Sequence, residues 1–357
     1  MLQNTTTMRK IYSSLFVILI ILSANTAFAQ LIGNGVLPAG GGNFDNAGGL
    51  AGNGWGTAKN IVAIPADGWA VNTAAGAVSG TQAAYVSTNP GAGLPPHGYQ
   101  TATRDSLLLY RLNTITIPAN QSCITLSFQW KGQGQVDAFN SDLDNMKVYL
   151  IPKAAPLNTN DIQSNYQIGQ VWYNQQGAFV NATFNLDPKL AGNGVNYTLT
   201  FLWVSNNDGV GTQTPAAIDD VLLTSTAPTA VPNCAVYTNP TNGTSGLSPC
   251  AVTLDWNHSL GCNGATSYQV QTATAFAGPY VTVATISQNT YNLSGLLPLT
   301  TYYWRIIPVN SFGANTAGCN LFIYSFTTGT NPVVSGTPPY FEDFESCMSN
   351  RGIYWGL

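Results

Sequence analysis

Short runs in which apolar and polar residues alternate dominate the chain from residue 30 to residue 328. The run 124–130 has Ile, Leu, Phe and Trp at every second position, and the run 197–203 repeats the pattern with Tyr, Leu, Phe and Trp. A period of two residues turns one side of a strand toward a core and the other toward water. No segment shows the 3.6-residue period of an amphipathic helix. The pattern therefore predicts an all-β protein.

The spacing of these runs divides the chain into two sandwiches. Strands are predicted at 60–64, 83–87, 107–117, 124–130, 146–151, 179–185, 197–203 and 218–224. This number of strands predicts a jelly-roll β-sandwich over residues 30–226. The segment 226–232 contains two prolines and predicts a short, stiff linker. A second, immunoglobulin-like sandwich is predicted over 229–329, with strands at 252–256, 267–272, 280–286, 302–310 and 322–327.

The N-terminal segment has the pattern of an export signal. Arg9 and Lys10 precede an apolar stretch at 15–22, and a small-x-small cleavage signal ends at Ala29. The apolar stretch is much shorter than the roughly 20 residues that a membrane-spanning helix needs. We therefore expect residues 1–29 to be a signal peptide. The protein is then secreted or exposed at the cell surface, and it does not span a membrane.

Charge narrows the set of partners. Only 7% of the residues are charged, and 45% are hydrophobic, which disfavours disorder. Removal of the segment that contains Arg9 and Lys10 leaves nine cations against 15 acids, a net charge of −6. Nucleic acid and anionic lipid surfaces are bound through clustered cations. We therefore expect no nucleic-acid partner.

The end of the chain resembles the start of the first sandwich. Phe44-Asp45 is followed by a Trp-Gly pair at 55–56, and Phe344-Glu345 is followed by the same pair at 355–356. The two matches have the same internal spacing at an offset of 300 residues. Residues 337–357 are therefore predicted to be the truncated start of a second jelly roll in a longer repeat protein.

The second sandwich resembles fibronectin type III domains. The run Leu296-x-Pro298-x-Thr300-x-Tyr302 precedes an alternating strand, as it does at the corner between two strands of that family. The resemblance implies that the Tyr302 hydroxyl bonds to the upstream backbone and that Trp256 lies in the core. It also implies a structural or spacer module, because this fold has no intrinsic chemistry.

Secreted bacterial surface proteins contain a variant of this domain with a Cys near each end. The resemblance to that variant implies a disulfide between Cys234 and Cys319. The other pairings stay open. Cys250 and Cys262 flank a predicted strand and would lie about 20 Å apart, whereas a disulfide needs Cα atoms within about 7 Å. Cys123 and Cys347 have no evident partners.

The first sandwich resembles the jelly-roll modules of the MAM, cleaved-adhesin and carbohydrate-binding families. Phe44-Asp45 and Trp55 match the opening of these modules, and the segment 217–221 matches their terminal strand. The chain departs from the pattern in its Gly-rich opening at 40–42.

Three acids form the candidate metal site. The first and last strands of a jelly roll can run side by side, which would bring Asp45 near Asp219 and Asp220. Carboxylates and carbonyl oxygens are the ligands of Ca²⁺, and two adjacent acids repel each other unless a cation or solvent relieves the repulsion. We therefore expect a structural calcium ion. The alternative is that one Asp binds turn amides and the other faces water.

Four aromatic residues are candidates for ligand binding. Exposed rings can stack on sugars, and the candidates are Trp55, Trp69, Trp172 and Tyr173. The alternative is that these rings belong to the core, as aromatic residues at alternating strand positions often do.

The sequence contains no common catalytic motif. It lacks H-E-x-x-H, G-x-S-x-G and a P-loop, and its two His, His97 and His258, fall in predicted loops. We therefore expect no catalysis and an adhesion or binding function toward an extracellular glycan or surface protein, through repeated modules. The alternative is the substrate-targeting, non-catalytic region of a secreted hydrolase.

Overall fold

The computed structural model describes residues 28–33, 40–59, 67–136, 142–157, 164–169, 173–174, 176–257 and 260–330. Most of the predicted signal peptide and the predicted restart at 337–357 lie outside the described residues. The strand predicted at 60–64 also lies outside them. The described part is almost entirely β-structure, as the alternating pattern predicts.

Twelve strands form the first sandwich: β1 (Phe28–Ile32), β2 (Trp55–Lys59), β3 (Gly68–Asn72), β4 (Ala83–Ser87), β5 (Asp105–Arg111), β6 (Ile115–Thr116), β7 (Cys123–Gly132), β8 (Gln135–Val136), β9 (Asp142–Pro152), β10 (Gln176–Asn185), β11 (Asn196–Ser205) and β12 (Ala217–Thr226). A one-turn helix, α1 (Gly49–Gly52), precedes β2, and two 3₁₀ turns occupy Ser164–Tyr166 and Pro188–Leu190.

Two antiparallel sheets pack face to face in this sandwich. One has the order β10-β7-β12-β4-β3, with β1 on β12, and the other has the order β2-β5-β11-β9-β8, with β6 on β11. Single bridges from β9 to Gln167 and Tyr173 extend the second sheet beyond β9. In the first sheet β12, the last strand of this sandwich, lies between β4 and β7, and in the second sheet β11 lies between β5 and β9. This interleaving is the double Greek key of a jelly roll, so the predicted fold is confirmed.

The core lies between the two sheets. Burial alternates residue by residue along β7, and its inward side chains Leu126 and Phe128 pack with Phe201 and Trp203 of β11. Phe128 meets Phe201 edge to face, with ring centroids 5.2 Å apart. The segment predicted as one strand at 107–117 is divided into β5 and β6, with a bend around Asn113. Asn favours such turns, because its side chain bonds to nearby backbone.

The second sandwich is smaller. Its strands are β13 (Tyr237–Asn239), β14 (Thr244–Leu247), β15 (Ala251–Trp256), β16 (Ser267–Ala273), β17 (Val281–Ile286), β18 (Thr290–Ser294), β19 (Thr301–Asn310), β20 (Gly313–Ala314) and β21 (Tyr324–Thr328), with a short helix α2 (Thr316–Cys319). A sheet of order β13-β15-β18 faces one of order β14-β21-β19-β16-β17. This division of strands is that of a fibronectin type III sandwich.

Three expectations for the second sandwich are confirmed. The Tyr302 hydroxyl accepts a hydrogen bond from the Leu297 backbone N–H at 2.9 Å, which closes the corner before β19. Trp256 is almost fully buried in the core. Cys234 and Cys319 form a disulfide with an S–S distance of 2.10 Å.

The two sandwiches are joined by more than the linker. Cys123, at the start of β7, forms a disulfide with Cys262 of the second sandwich, a pairing that the sequence did not predict. The Ser311 hydroxyl donates to the Asn120 carbonyl at 3.2 Å. The Asn263 side chain accepts hydrogen bonds from two linker amides, at Thr229 and Ala230. The linker is therefore bound along the second sandwich.

No free cysteine is found among the described residues. In the same part of the chain, no helix is long and apolar enough to cross a membrane.

Candidate functional site

The opening segment of the first sandwich folds around a buried arginine. Arg111 of β5 donates to the carbonyls of Gly40 at 2.6 Å and Asn53 at 2.8 Å, and its guanidinium lies 5.4 Å from the Trp55 ring centroid. Burial lowers the Arg111 pKa to about 10, so the side chain stays charged at neutral pH. A Cβ on Gly42 would lie 2.0 Å from the Val221 carbonyl oxygen of the last strand. This close approach explains the Gly-rich opening.

Asp45 holds the loop that connects β3 to β4. One of its oxygens accepts the backbone N–H groups of Thr81 at 2.8 Å and Gln82 at 3.1 Å, and the other accepts from the Asn43 amide at 3.0 Å. Gly80 has a positive φ of 64°, and a Cβ there would overlap the Asp45 carboxylate. The loop therefore needs glycine at this position.

Asp219 and Asp220 contact the same loop from the last strand. Asp219 is fully buried, and its carboxylate accepts the backbone N–H groups of Val78 at 2.7 Å and Ser79 at 3.2 Å. Asp220 accepts a hydrogen bond from the Ser79 hydroxyl. It has a φ of 49° at a bulge in β12. Burial raises the pKa of Asp219 to about 6, although the Val78 N–H opposes the shift.

The three predicted metal ligands therefore converge on the loop 78–82. The N-terminal segment runs beside the last strand, because β1 pairs with β12 and the Val221 N–H donates to the Gly42 carbonyl at 2.8 Å. Asp45 and Asp219 face N–H donors of the loop. Among the described residues, no group of three or more His, Cys, Asp or Glu side chains has a metal-binding arrangement. This donor set fits carboxylates that cap loop amides, and calcium binding here stays a prediction.

The aromatic candidates do not form a stacking surface. Trp55 is 1% exposed and Trp69 is 3% exposed, and their indole N–H groups donate to the carbonyls of Gly41 and Leu107. Tyr173 is 2% exposed and packs edge to face on Trp130. The expectation that these three rings bind a ligand is wrong, because their faces are covered by the core. Trp172 lies outside the described residues.

His97 does not resemble a catalytic base. It lies near the Tyr85 ring, and its Nε2 is 3.0 Å from the Pro215 carbonyl oxygen. Burial lowers its pKa to about 4, so the ring is neutral at neutral pH. His258 lies outside the described residues.

A second acidic region lies at the end of the sandwich where β5, β9 and β11 meet. Asp144 is fully buried and accepts the Tyr99 hydroxyl at 2.7 Å and the Asn206 N–H at 2.8 Å. The Gln213 side chain bonds to both backbone groups of Tyr99, at 3.2 and 2.7 Å. Burial raises the pKa of Asp144, and the Tyr99 hydrogen bond opposes this shift. These contacts fasten the loop 206–216 to the segment 99–104.

Asp67 and Asp105 form a carboxyl pair in the same region. Asp67 precedes β3 and Asp105 begins β5, and they are only 2% and 5% exposed. Burial, together with the neighbouring Asp67 charge, raises the pKa of Asp105 to about 7. Burial also raises the pKa of Asp67.

An open cavity of about 350 Å³ lies beside this pair; we call it the loop-end pocket. Its lining combines polar residues, which can donate and accept hydrogen bonds, with two apolar side chains. The polar residues are Arg104, Asp105, Ser106, Ser205, Asn206 and Asn207, and the apolar ones are Leu143 and Val204. The size falls within the range of small-ligand sites.

Sequence reasoning did not identify the Asp67–Asp105 pair. The acids Asp67 and Asp105 are 38 positions apart in the chain, so no local motif joins them. The available signal is compositional. Any acid is unusual in a chain with 7% charged residues. However, Asp67 stands immediately before an apolar strand and Asp105 at the start of one, and at such positions a role in a turn is the simpler explanation for an Asp.

Comparisons with known proteins show only distant similarity. No family model matches the sequence, and no curated protein matches it. Among solved structures, the glycoside hydrolase domain of Endo-D from Streptococcus pneumoniae R6 is 11% identical over 77% of this chain, with a TM-score of 0.29. A β-1,2-glucanase from Parabacteroides distasonis is 12% identical over 78%, with a TM-score of 0.25. This chain spans 37% of each hydrolase structure. A Fn3-like protein from Clostridium thermocellum matches 30% of this chain over its own whole length, with 23% sequence identity and a TM-score of 0.22.

Proposed function

We propose that this protein is a secreted or cell-surface binding protein and that its jelly roll binds an extracellular glycan at the loop-end pocket, without catalysis. The composition of that pocket carries the proposal. Sugars present hydroxyl groups that donate and accept hydrogen bonds, together with apolar ring faces. Arg104 and Asn207 supply polar groups, and Leu143 and Val204 supply apolar surface.

An extracellular location agrees with the cysteine chemistry. The described residues contain two disulfides, Cys123–Cys262 and Cys234–Cys319, and disulfides persist in oxidising compartments. The fibronectin type III sandwich fits the role of a spacer, because its contacts with the first sandwich leave the loop-end pocket open. The disulfide partner Cys123 begins β7 and is absent from the pocket lining.

A glycan array with residues 30–330 tests the proposal, followed by calorimetric titration of the best glycan. We expect Asn207→Ala and Arg104→Ala to weaken binding by about 1–3 kcal/mol each, because a ligand group loses its partner. Asn181→Ala is the matched control, since Asn181 is exposed on β10 in the opposite sheet. The proposal is wrong if no glycan binds, or if the pocket variants bind as well as the control.

A substrate-targeting region of a secreted hydrolase would use the same pocket, because such a region holds glycan without cleaving it. Prolonged incubation with the bound glycan therefore tests the non-catalytic part of the proposal. We expect the glycan to be recovered intact. Release of new reducing ends that is lost in Asp105→Asn would show instead that this chain hydrolyses its ligand.

A further inference from the structure

Cys250 lies immediately before β15 of the second sandwich, and it is disulfide-bonded. The chain contains six cysteines, and four of them form the two disulfides that lie wholly within the described residues. No cysteine in this part of the chain is free. Cys347, which lies outside the described residues, is therefore the one cysteine of the chain that is left to bond Cys250.

An open groove of about 320 Å³ borders Cys250. Ser248 and Ala251, on either side of Cys250 in the chain, both line this groove, which runs along β13, β14 and β15. The rest of the lining combines Thr, Asn and Pro residues with the apolar side chains of Leu247 and Val252, and none of the lining residues is charged. A segment bonded to Cys250 would therefore lie beside an uncharged groove.

The chain leaves the second sandwich at the same groove. The last strand, β21, runs parallel to β14, and the Gly329 N–H just after it donates to the Leu247 carbonyl at 2.7 Å. Cys347 follows Gly329 by 18 positions, and a chain of that length can span roughly 60 Å when extended. A disulfide holds its two Cα atoms within about 7 Å of each other. The chain can therefore bring Cys347 to Cys250 without strain.

The internal repeat aligns Cys347 with a surface position. The offset of 300 residues between the two matching segments places Cys347 opposite Ala47. Ala47 is exposed in the first sandwich, where it shortly precedes α1. In a second jelly roll of the same design, a Cys at this position would face outward, where it can bond a neighbouring module.

We propose that Cys250 forms a disulfide with Cys347 of the same chain and that segment 337–357, the predicted opening of a second jelly roll, docks on the groove beside Cys250. Each thiol loses one proton and one electron, and the disulfide of an exchange catalyst in the oxidising compartment takes up both pairs as it becomes a dithiol. The second sandwich is then fixed to a jelly roll on each side, through Cys262 and through Cys250. This inference does not depend on any ligand of the loop-end pocket.

Disulfide mapping of the exported chain tests the bond. Free thiols are alkylated, and the denatured, unreduced protein is then cleaved after aromatic residues. Tyr237 and Trp256 flank Cys250, so this cleavage separates it from the other cysteines of the second sandwich. We expect a linked pair of peptides that contain Cys250 and Cys347, from a protein that migrates as a monomer without reductant. Alkylated Cys250, a link to another cysteine, or covalent dimers would overturn the proposal.

Trypsin cleavage after Arg351 tests the docking, because Arg351 is the single Lys or Arg between positions 306 and 357. We expect cleavage of the unreduced wild type to be at least about tenfold slower than that of Cys347→Ser, since a docked segment has to open before it enters the protease. Cys250→Ser should be cleaved as fast as Cys347→Ser. Ser349→Ala is the matched control, which keeps the thiol and should keep the wild-type rate. Equal rates in the wild type and Cys347→Ser would overturn the docking.

Thr244→Glu tests whether the groove is the docking surface. Segment 337–357 carries three acids, and Thr244 lines the groove, so an added carboxylate would repel the segment. We expect cleavage after Arg351 to be about twofold to fivefold faster than in the wild type. Thr290→Glu is the matched control, because Thr290 is exposed on β18 outside the groove. Equal cleavage of the two Glu variants would show that the segment docks elsewhere.

Discussion

Cys123 and Cys262, which are 139 residues apart in the chain, form a disulfide between the two sandwiches. The Ser311–Asn120 hydrogen bond supplements this connection, and Asn263, next to Cys262, binds the linker amides. A covalent bond together with a bound linker prevents free rotation of one sandwich relative to the other. The described chain should therefore behave as a two-domain unit with a fixed relative orientation.

This disulfide can be tested directly. Proteolysis of the unreduced protein should yield a peptide pair that links Cys123 to Cys262, detectable by mass spectrometry. The double variant Cys123→Ser/Cys262→Ser should lose up to about 4 kcal/mol of stability, because a long loop is no longer closed in the unfolded state. Small-angle scattering should show a broader distance distribution. A linked pair containing Cys123 and a different cysteine would contradict the pairing.

Replacement of Arg111 should lower the stability of the first sandwich strongly. Arg111→Met leaves the buried carbonyls of Gly40 and Asn53 without their donor, which should cost about 3 kcal/mol. Arg305→Met is the matched control, because the Arg305 guanidinium also lies over a ring, Tyr280, at 4.1 Å and donates to one carbonyl, that of Asn320, at 3.1 Å, but it is only half-buried. It should cost about 1 kcal/mol. Denaturant unfolding measures both, and equal losses would contradict the role of the buried carbonyls.

Calcium binding at the loop 78–82 is testable by thermal unfolding. The protein is first treated with EDTA, and Ca²⁺ is then added at about a hundredfold excess over the dissociation constant. If the ion binds the native state alone, stability should rise by about 2.7 kcal/mol. Asp45→Asn should abolish the rise, whereas Asp255→Asn in the second sandwich should leave it intact. An unchanged melting temperature in the wild type would mean that the carboxylates serve only the loop amides.

Asp219 should make stability depend on pH in the acid range. Its pKa is about 6 in the folded protein, compared with about 3.9 in an unfolded chain. Between these values the folded state binds more protons, so stability should fall as pH rises from about 4 to about 6, by at most about 1.4 kcal/mol per pH unit.

In Asp219→Asn this contribution to the slope should disappear. The variant should also be less stable overall, because one Asp219 oxygen accepts the N–H groups of Val78 and Ser79 and the other accepts the Asp220 N–H, whereas Asn has a single acceptor oxygen. Urea unfolding at several pH values measures the slope and the overall loss separately. An unchanged slope in Asp219→Asn would contradict the raised pKa.

The amino-acid sequence by itself determined the class of fold and much of its layout. Strict alternation, as in 124–130, specifies a strand with one buried face, and this information is local. The corner at Tyr302 was expected from the resemblance to fibronectin type III domains, whose motif here is local, since the hydroxyl and its Leu297 partner are five residues apart. The resemblance to jelly-roll modules also predicted that Asp45 and Asp219 lie near each other, and Asp45 does follow β1, which pairs with β12.

Only the tertiary structure decided which groups meet across the sandwich. Alternation does not say whether Trp55 or Trp69 points inward, so their burial came from sheet packing. The Asp67–Asp105 pair and the Cys123–Cys262 disulfide join residues that no short motif connects. Contacts of this kind depend on the order of strands in both sheets and on the docking of the sandwiches, and these are set by the packing of the whole chain.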